Sequence, residues 1–283
     1  MNDNDELALS RVIEDILVAR NLRGMKTVQP FLEPGYCLRG ARMLRDCQGN
    51  ILIGTGFPVV KTFETDGPVG AIAIYEALEK QGATPTIVCG RPLSQALSAR
   101  YRVHEISVGD HDRREAEARE ALDKFEPQAI ISIERPGQAA DGGYYNMRGE
   151  SISDYTACFD SFMNLCECPT IGIGDGGNEI GMGNVAEALR GLNIIPSTTT
   201  CTELIIADVS NWGAYALISF LALWQQRDLL AEFVPLDTLR YISGLGSVDG
   251  VTRVNQLTED GLDPAEGEAV LRELRRACGF VPS

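Results

Sequence analysis

Acidic residues and glycines cluster in three segments of this 283-residue chain, and these residue types together can bind a metal ion. The segments are 64–71, 134–146 and 174–183. Carboxylate oxygens are the ligands that Mg²⁺ and Mn²⁺ prefer, and glycine lets a backbone turn sharply or approach a ligand closely. The three segments therefore predict an oxygen-ligand site for a divalent cation. The alternative is structural: Asp66 and Asp175 would cap helices, and the glycines would form turns.

Arginines and tyrosines accompany the second segment. The chain has only four lysines, so most of its positive charge is guanidinium, which can hold a carboxylate or phosphate through two hydrogen bonds. Arg135 and Arg148 are therefore candidates for binding a substrate carboxylate, with local ion pairs to nearby acidic residues as the alternative. Tyr144 and Asn146 are candidates for the pocket wall, unless the tyrosine simply packs in the core.

Short apolar runs rich in β-branched residues alternate with helical patterns along the chain. The expected strands are 51–53, 86–88, 129–133, 170–173 and 203–206, with a further one around His104. Helices are expected at the N-terminus, between Asp66 and Gly82, and at 93–100, 111–125, 153–165, 184–192, 212–226 and 264–277. This alternation predicts a doubly wound α/β fold with a mostly parallel sheet, helices on both faces and helical decorations at the termini.

The expected organisation is one α/β domain over residues 1–283. It comprises an N-terminal helical arm (1–45), an α/β core (46–230) and a C-terminal helical segment (231–283). In open α/β sheets, ligands bind beyond the carboxyl ends of the strands. Because each acidic segment follows a predicted strand or the turn after it, the three segments should meet at one edge of the sheet. A further glycine and aspartate segment, 244–252, is a candidate for closing over that edge.

The charge of the chain argues against nucleic-acid and membrane partners. Forty acidic and 25 basic residues give a net charge of −15 and a pI of about 4.6, and such a surface repels phosphate backbones and anionic lipid headgroups. The longest apolar run, 214–224, is too short to span a bilayer, so we expect a buried helix or a homodimer interface there. The N-terminus has no signal-peptide or transit-peptide character, which predicts a cytoplasmic protein.

Several familiar site types are absent from the sequence. The eight cysteines include no Cys-x-x-Cys pair and neither histidine lies near one, so free thiols are favoured over a zinc site. No dinucleotide fingerprint, phosphate loop or Gly-x-Ser-x-Gly elbow is complete. His104 and His111 are expected to be structural. These exclusions leave the acidic segments as the candidate site.

Four segments of the chain resemble the D-glutamate cyclase family, namely 64–68, 134–142, 172–179 and 248–252. The resemblance spans roughly residues 40 to 255 and is to the cyclase-like domain that forms the C-terminal part of the animal enzyme and stands alone in many microbial proteins. It implies a lyase that converts D-glutamate to 5-oxo-D-proline with loss of water. Two alternatives stay open: a metal-dependent phosphatase or other phosphoryl hydrolase using the same acidic residues, and a non-catalytic α/β protein that binds a small ligand or a metal.

Glutamate cyclisation needs groups that this chain contains. An amine attacks a carboxylate, which is a poor electrophile until a cation such as Mg²⁺ or Mn²⁺ offsets its charge, and proton transfers accompany the attack and the departure of water. The expected metal ligands are Glu64, Asp66, Asp175 and Glu179. The expected catalytic groups are Asp175, Asp141 and Glu134, the last as a proton carrier. Arg135 or Arg148 would hold the α-carboxylate of a small amino-acid substrate, and Tyr144, Asn146 and Asn178 would line its pocket.

Overall fold

Six parallel strands form the central sheet of the computed structural model, which describes residues 1–282. The strands of the chain are β1 (Asn50–Thr55), β2 (Pro58–Val59), β3 (Thr62–Phe63), β4 (Thr84–Cys89), β5 (Val103–Glu105), β6 (Ala129–Ile133), β7 (Thr170–Gly174) and β8 (Glu203–Ile206). β2 and β3 pair with each other as a small antiparallel hairpin, and the other six have the order β5-β4-β1-β6-β7-β8. In chain order, β1, β4 and β5 therefore extend the sheet in one direction, and β6, β7 and β8 extend it in the other. The predicted parallel α/β sheet is confirmed.

Helices cover both faces of this sheet, as predicted. The α-helices are α1 (Asp3–Leu17), α2 (Met25–Val28), α3 (Tyr36–Leu44), α4 (Pro68–Gln81), α5 (Leu93–Leu97), α6 (Arg114–Phe125), α7 (Asp160–Leu165), α8 (Ala186–Leu189), α9 (Ser210–Gln225), α10 (Pro235–Gly244) and α11 (Pro264–Ala277). Successive strand side chains point to opposite faces. Ile51 and Ile53 accordingly belong to the core cluster that contains residues of α1, α3, α4, α9 and α11, whereas Leu52 belongs to the cluster that contains residues of α6 and α7.

Helix α9 belongs to the core. Its residues Ser210–Ala222 are buried, because the helix lies between the sheet and the helices of both termini, so the apolar run 214–224 forms mainly core and not an exposed interface. The helix approaches α4 closely at Gly70, where a Cβ atom would lie 2.8 Å from the Asn211 Cα. No helix among residues 1–282 is both long and apolar enough to cross a membrane.

Some predicted elements are shorter than the sequence patterns indicated. The helix expected at 153–165 is a single 3₁₀ turn (Ser153–Tyr155) followed by α7, and the one expected at 184–192 is a 3₁₀ turn (Met182–Val185) followed by α8. Helix α3 lies in the N-terminal arm and had not been predicted. Its first N–H groups, on Gly35 and Cys37, donate to the Glu14 carboxylate at 3.0 and 3.1 Å, so its N-terminal stabilisation comes from a distant residue. All eight cysteines are free thiols.

Candidate active site

A cavity of about 570 Å³ opens at the carboxyl edge of the sheet. Its walls include Phe57, which follows β1, Glu64, which follows β3, Glu134, which follows β6, and Asp175, which follows β7. The strand order reverses between β1 and β6, and this is the position at which doubly wound sheets bind ligands. The segment 244–252 contributes Gly250 and lies against the chain after β3, since the Thr65 N–H donates to the Val248 carbonyl at 2.9 Å.

Six carboxyl groups meet at the floor of the cavity and are almost completely buried: Glu64, Asp66, Glu134, Asp175, Glu179 and Asp260. They form two overlapping triads that could hold a metal ion. Asp66, Asp175 and Asp260 offer oxygens within 4.8 Å of one another, and so do Glu134, Asp175 and Glu179. Asp175 is therefore the residue that the two triads share.

Backbone N–H groups hold two of these carboxylates in place. Asp66 accepts hydrogen bonds from the N–H groups of Ser210 and Asn211, both at 2.8 Å, at the start of α9. The alternative that Asp66 caps the helix directly after it is thus wrong, because its side chain reaches the N-terminus of α9. At the start of α4, which begins at Pro68, the Gly70 N–H donates to the Asn211 Oδ1 at 2.6 Å. Glu179 accepts from the N–H groups of Gly176 and Gly177 at 2.9 and 2.8 Å.

Arg23 brings a positive charge into this acidic floor. It comes from the turn before α2 and forms ion pairs with both Asp175 and Asp260, and its side chain is only 17% exposed. Asp175 therefore serves as an ion-pair partner and not as a helix cap. One guanidinium faces six carboxyl groups, so the floor retains an excess of negative charge unless protons or a cation neutralise it.

The electrostatics of the floor follow from burial and crowding. Burial, and then repulsion from neighbouring carboxylates, raises the pKa of Glu64 and of Glu134 well above the usual range. Burial also raises the pKa of Asp175 well above its usual range although Arg23 opposes the effect, and burial together with Asp260 raises the pKa of Asp66 to about 7. For Asp260, burial acts to raise the pKa but the contacts with Arg23 outweigh it, so the pKa is lowered.

Unusual backbone conformations concentrate around the cavity. Val60, Glu134, Arg253 and Asp260 line it and have φ angles of 57°, 44°, 59° and 53°, in the left-handed region that non-glycine residues seldom adopt. Gly67 has a φ of 88°, and a Cβ atom there would lie 2.7 Å from the Glu134 Cβ. Strained backbone of this kind persists where the surrounding structure enforces it, and it clusters at functional sites.

Most of the residues predicted from the sequence come together here. Glu64, Glu134, Asn146, Arg148, Asp175 and Asn178 line the cavity. Asp66 and Glu179 join the same carboxyl groups from beneath. The amide of Asn178 is held by a hydrogen bond from its Nδ2 to the Tyr145 carbonyl at 2.9 Å, while its buried Oδ1 has no hydrogen-bond partner among the described residues.

Three predicted site residues lie elsewhere, which corrects their expected positions. Arg135 points to the other side of the sheet, where its guanidinium donates to the carbonyls of Thr55, Gly56 and Ala157 and stacks on Phe159. Tyr144 is completely buried and its hydroxyl donates to Asp160 at 2.7 Å. Asp141 is exposed, where it accepts from the Tyr145 hydroxyl at 2.5 Å and the Gly143 N–H at 2.9 Å. These contacts keep all three away from the carboxyl cluster.

Sequence reasoning had missed Arg23 and Asp260. Asp260 precedes a glycine, as Asp66, Asp141, Asp175 and Asp249 do, and this dipeptide was the available signal. It does not follow a strand of the sheet, so the strand-end rule did not select it. Nothing in the sequence near Arg23 indicates a partner that lies 152 positions away.

The donor set fits a divalent cation. Carboxylate oxygens are hard ligands of the type that Mg²⁺ and Mn²⁺ prefer, and the excess negative charge of the floor supplies the electrostatic reason for a cation to enter. His104 packs edge-on against Phe125, and His111 contacts Cys158 and Ser153, so both histidines have structural contacts outside the carboxyl cluster. A soft metal that requires thiolate or imidazole ligands has no donors in either triad.

Comparison of the sequence with known proteins indicates the same family as the sequence motifs. The sequence model of the family described as "D-glutamate cyclase-like, C-terminal" matches residues 13–275. The mitochondrial D-glutamate cyclase of Homo sapiens is 36% identical over 197 residues, which cover 59% of this chain and 32% of the human protein, so the chain spans about a third of that relative's length. An exopolyphosphatase-related protein from Bacteroides fragilis has a TM-score of 0.44 at 10% identity, over 89% of this chain and 62% of that one. Because the family model matches most of the sequence, from the N-terminal arm to α11, the chain belongs to the D-glutamate cyclase-like C-terminal family.

Proposed function

We propose that this protein is a lyase that cyclises D-glutamate to 5-oxo-D-proline with loss of water. The observation that carries the proposal is the pair of buried carboxyl triads that share Asp175 on the floor of the cavity. The name of the human relative, D-glutamate cyclase, supports the choice of substrate.

The reaction makes clear demands on the site. The substrate nitrogen forms a bond to the side-chain carboxyl carbon, one C–O bond of that carboxyl breaks, and the oxygen leaves as water. The reacting carboxylate carries a negative charge and is therefore a poor electrophile. A bound divalent cation supplies charge neutralisation and polarises the C–O bond. The residues that would hold the cation are the carboxylates of the two triads other than Glu134, with Asp175 common to both triads.

The protein side chains would orient the substrate and move its protons. Asn178 would accept an N–H of the substrate amine through its buried Oδ1, which has no hydrogen-bond partner among residues 1–282. Arg148 lies at the exposed side of the cavity and would hold the α-carboxylate. Glu134 would carry the proton, since the Ser210 hydroxyl fixes one of its oxygens at 2.5 Å and leaves the other as the transfer atom. Holding the two reacting ends together supplies much of the rate increase.

The test is a substrate and metal panel on the purified protein. D-glutamate, L-glutamate and p-nitrophenyl phosphate are each incubated with Mg²⁺, Mn²⁺ or EDTA, and 5-oxoproline and phosphate release are measured. We expect metal-dependent 5-oxoproline from the D-isomer. Asp175→Asn should lower kcat/KM by at least about 100-fold, since even residues that only support metal ligands are worth 10–100-fold. Asp123→Asn, on the exposed side of α6, is the matched control.

Each of the other results has a definite meaning. Phosphate release without 5-oxoproline would replace the cyclase by a phosphoryl hydrolase at the same site. Full activity in EDTA, or in a folded Asp175→Asn variant, would refute the metal-assisted site.

A further inference from the structure

The cavity is larger than free glutamate requires. At about 30 Å³ for a water-sized group, a volume of about 570 Å³ has room for roughly twenty such groups. Glutamate has ten non-hydrogen atoms. Ligand cavities usually match their ligands closely enough to bury most of the ligand surface. Free glutamate on the carboxyl floor would therefore fill only part of this cavity.

The outer part of the cavity carries exposed apolar side chains. Five large hydrophobic side chains form the mouth of the cavity: Leu22, Val60, Met147, Tyr155 and Val251. They are between 38% and 60% exposed, whereas the floor carboxylates Glu64, Glu134 and Asp175 are at most 7% exposed. Phe57 and Ile152 continue the apolar wall inward. The cavity thus has a charged floor and a hydrophobic mouth.

An apolar rim next to a polar site indicates a ligand with two parts. Exposed hydrophobic side chains gain nothing from contact with water, and they release free energy when an apolar group covers them. Val60 has its left-handed backbone conformation at this rim, so the side chain is presented there by the turn between β2 and β3. The rim also contains two arginines. Arg253 forms an ion pair with Glu150, whereas Arg148 donates to the Val251 carbonyl at 2.9 Å and is the rim cation that can hold a negative charge beyond the apolar contact.

We propose that the substrate is a glutamyl compound extended through its α-carboxyl group by an apolar residue, as in an N-terminal D-glutamyl dipeptide. This inference rests on the proposed cyclase function, which also fixes the point of attachment. The α-amine has to be free because it is the nucleophile, and the side-chain carboxyl has to be free because it is the electrophile. The α-carboxyl group is the position that remains, and an amide there directs the next residue from the floor towards the mouth.

The extended reaction balances in the same way as the simple one. The amine nitrogen bonds to the side-chain carboxyl carbon, one C–O bond breaks, and the products are a 5-oxoprolyl peptide and water. Nothing is oxidised or reduced, and the α-amide bond remains intact. The carboxylate at the end of the peptide then lies one residue further out, on the exposed side of the cavity, where Arg148 would hold it in place of the glutamate α-carboxylate.

The experiment compares kcat/KM for D-glutamate, D-glutamyl-glycine and D-glutamyl-leucine in both leucine configurations, in the presence of Mn²⁺. Loss of water is followed by mass spectrometry against enzyme-free blanks. We expect at least one leucyl substrate to exceed D-glutamate by tenfold or more, equivalent to about 1.4 kcal/mol, and the glycyl substrate to gain less. Val60→Ser should lower the leucyl-to-glycyl ratio at least threefold. Val12→Ser changes an exposed valine of α1 outside the cavity and should leave the ratio unchanged.

The outcomes separate this inference from the function on which it rests. Cyclisation of D-glutamate with no advantage for either leucyl substrate would overturn the extended substrate and retain the cyclase. The same result combined with a dimer that Val60→Asp dissociates would assign the mouth to contact between two copies of the chain, and it would also overturn the inference. Cyclisation of none of the four compounds would refute the cyclase function and the extended substrate together.

Discussion

The stability of the metal-free protein should fall as the pH rises from 5 to 8, and a divalent cation should reverse this fall. Burial raises the pKa of Asp66 to about 7 and that of Glu259 to about 8. A carboxyl group whose pKa is higher in the folded than in the unfolded state stabilises the fold fully at pH values below the unfolded pKa. That contribution is lost as the pH rises through the folded pKa, because the folded protein must then bury the charge.

The size of the fall follows from these pKa values. Stability changes by about 1.4 kcal/mol per pH unit for each proton that the folded state retains and the unfolded state has lost. For Asp66 this gives about 3 kcal/mol between pH 5 and its folded pKa of about 7. The carboxyl groups of the floor interact and share protons, so their contributions do not simply add. We therefore expect a total loss of at least about 3 kcal/mol, since Glu259 adds to the contribution of Asp66, and this loss lowers the Tm by at least about 6 °C at roughly 2 °C per kcal/mol.

A divalent cation competes with those protons. At a concentration 100 times its Kd, the cation adds about 2.7 kcal/mol, or about 5 °C, at pH 8. At pH 5, displacing one proton from a ligand of pKa near 7 weakens binding about 100-fold, and the same concentration then adds only about 0.4 kcal/mol. The gain from Mg²⁺ or Mn²⁺ should therefore increase steeply with pH.

The assay is thermal unfolding at pH 5 and pH 8, in EDTA or with Mg²⁺ or Mn²⁺ at a concentration well above its Kd at pH 8. NaCl keeps the ionic strength equal in all samples. Asp175→Asn should lose the gain at pH 8, and Asp123→Asn should keep it. If the metal-free protein instead becomes more stable from pH 5 to pH 8, the carboxylates are not held in the buried, crowded state described above. A cation gain that is equal at both pH values would show that binding does not involve these groups.

Three further variants test individual contacts. Arg23→Gln removes the cation that pairs with two buried carboxylates, so urea titrations should show a loss of about 3–5 kcal/mol in the free energy of unfolding. The same substitution at the exposed Arg11 should cost less than about 0.5 kcal/mol. Equal losses for the two variants would contradict the buried ion pairs. Gly67→Ala places a methyl group 2.7 Å from the Glu134 Cβ on a backbone with a φ of 88°. It should lower the free energy of unfolding by at least about 1–2 kcal/mol and should also lower kcat. Unchanged values of both would show that Glu134 can move freely. Arg135→Met leaves three carbonyls without their donor, so the Tm should fall while the KM for D-glutamate stays constant; a raised KM at constant Tm would return Arg135 to the substrate site.

The sheet could be predicted from the sequence because its strands are buried on both faces. Such strands are continuous apolar runs, as in AIISI at 129–133, and a helix of comparable burial is much longer. The elements that the sequence did not define are those stabilised by distant partners. Helix α3 has its N-terminus stabilised by Glu14, and the predicted helix at 153–165 is interrupted where Ala157 and Cys158 pack into the core.

The location of the candidate site was predictable for a similar reason. Parallel strands place the segments that follow them at one edge, so Glu64, Glu134 and Asp175 could be brought together by topology alone. Arg23 and Asp260 enter the same site from the N-terminal arm and from the segment before α11, which are outside the sheet. Their positions depend on tertiary packing that no local pattern encodes.

Glu134 and Arg135 are neighbours in the sequence, but only Glu134 reaches the site, because the site lies on one face of the sheet. Glu134 and Arg135 directly follow β6, and their side chains lie on opposite faces of the sheet. Glu134 turns towards α9, where Ser210 holds it, and Arg135 turns towards Phe159 on the other face. The N-terminus of α9 lies on the first face, and its N–H groups hold Asp66 there. The positive end of this 16-residue helix favours negative charge nearby, so the carboxyl groups can gather on the α9 side of the sheet and not on the other. The two oppositely charged residues that follow β6 are therefore separated. Glu134 joins the carboxyl cluster, and Arg135 binds backbone carbonyls on the other face of the sheet.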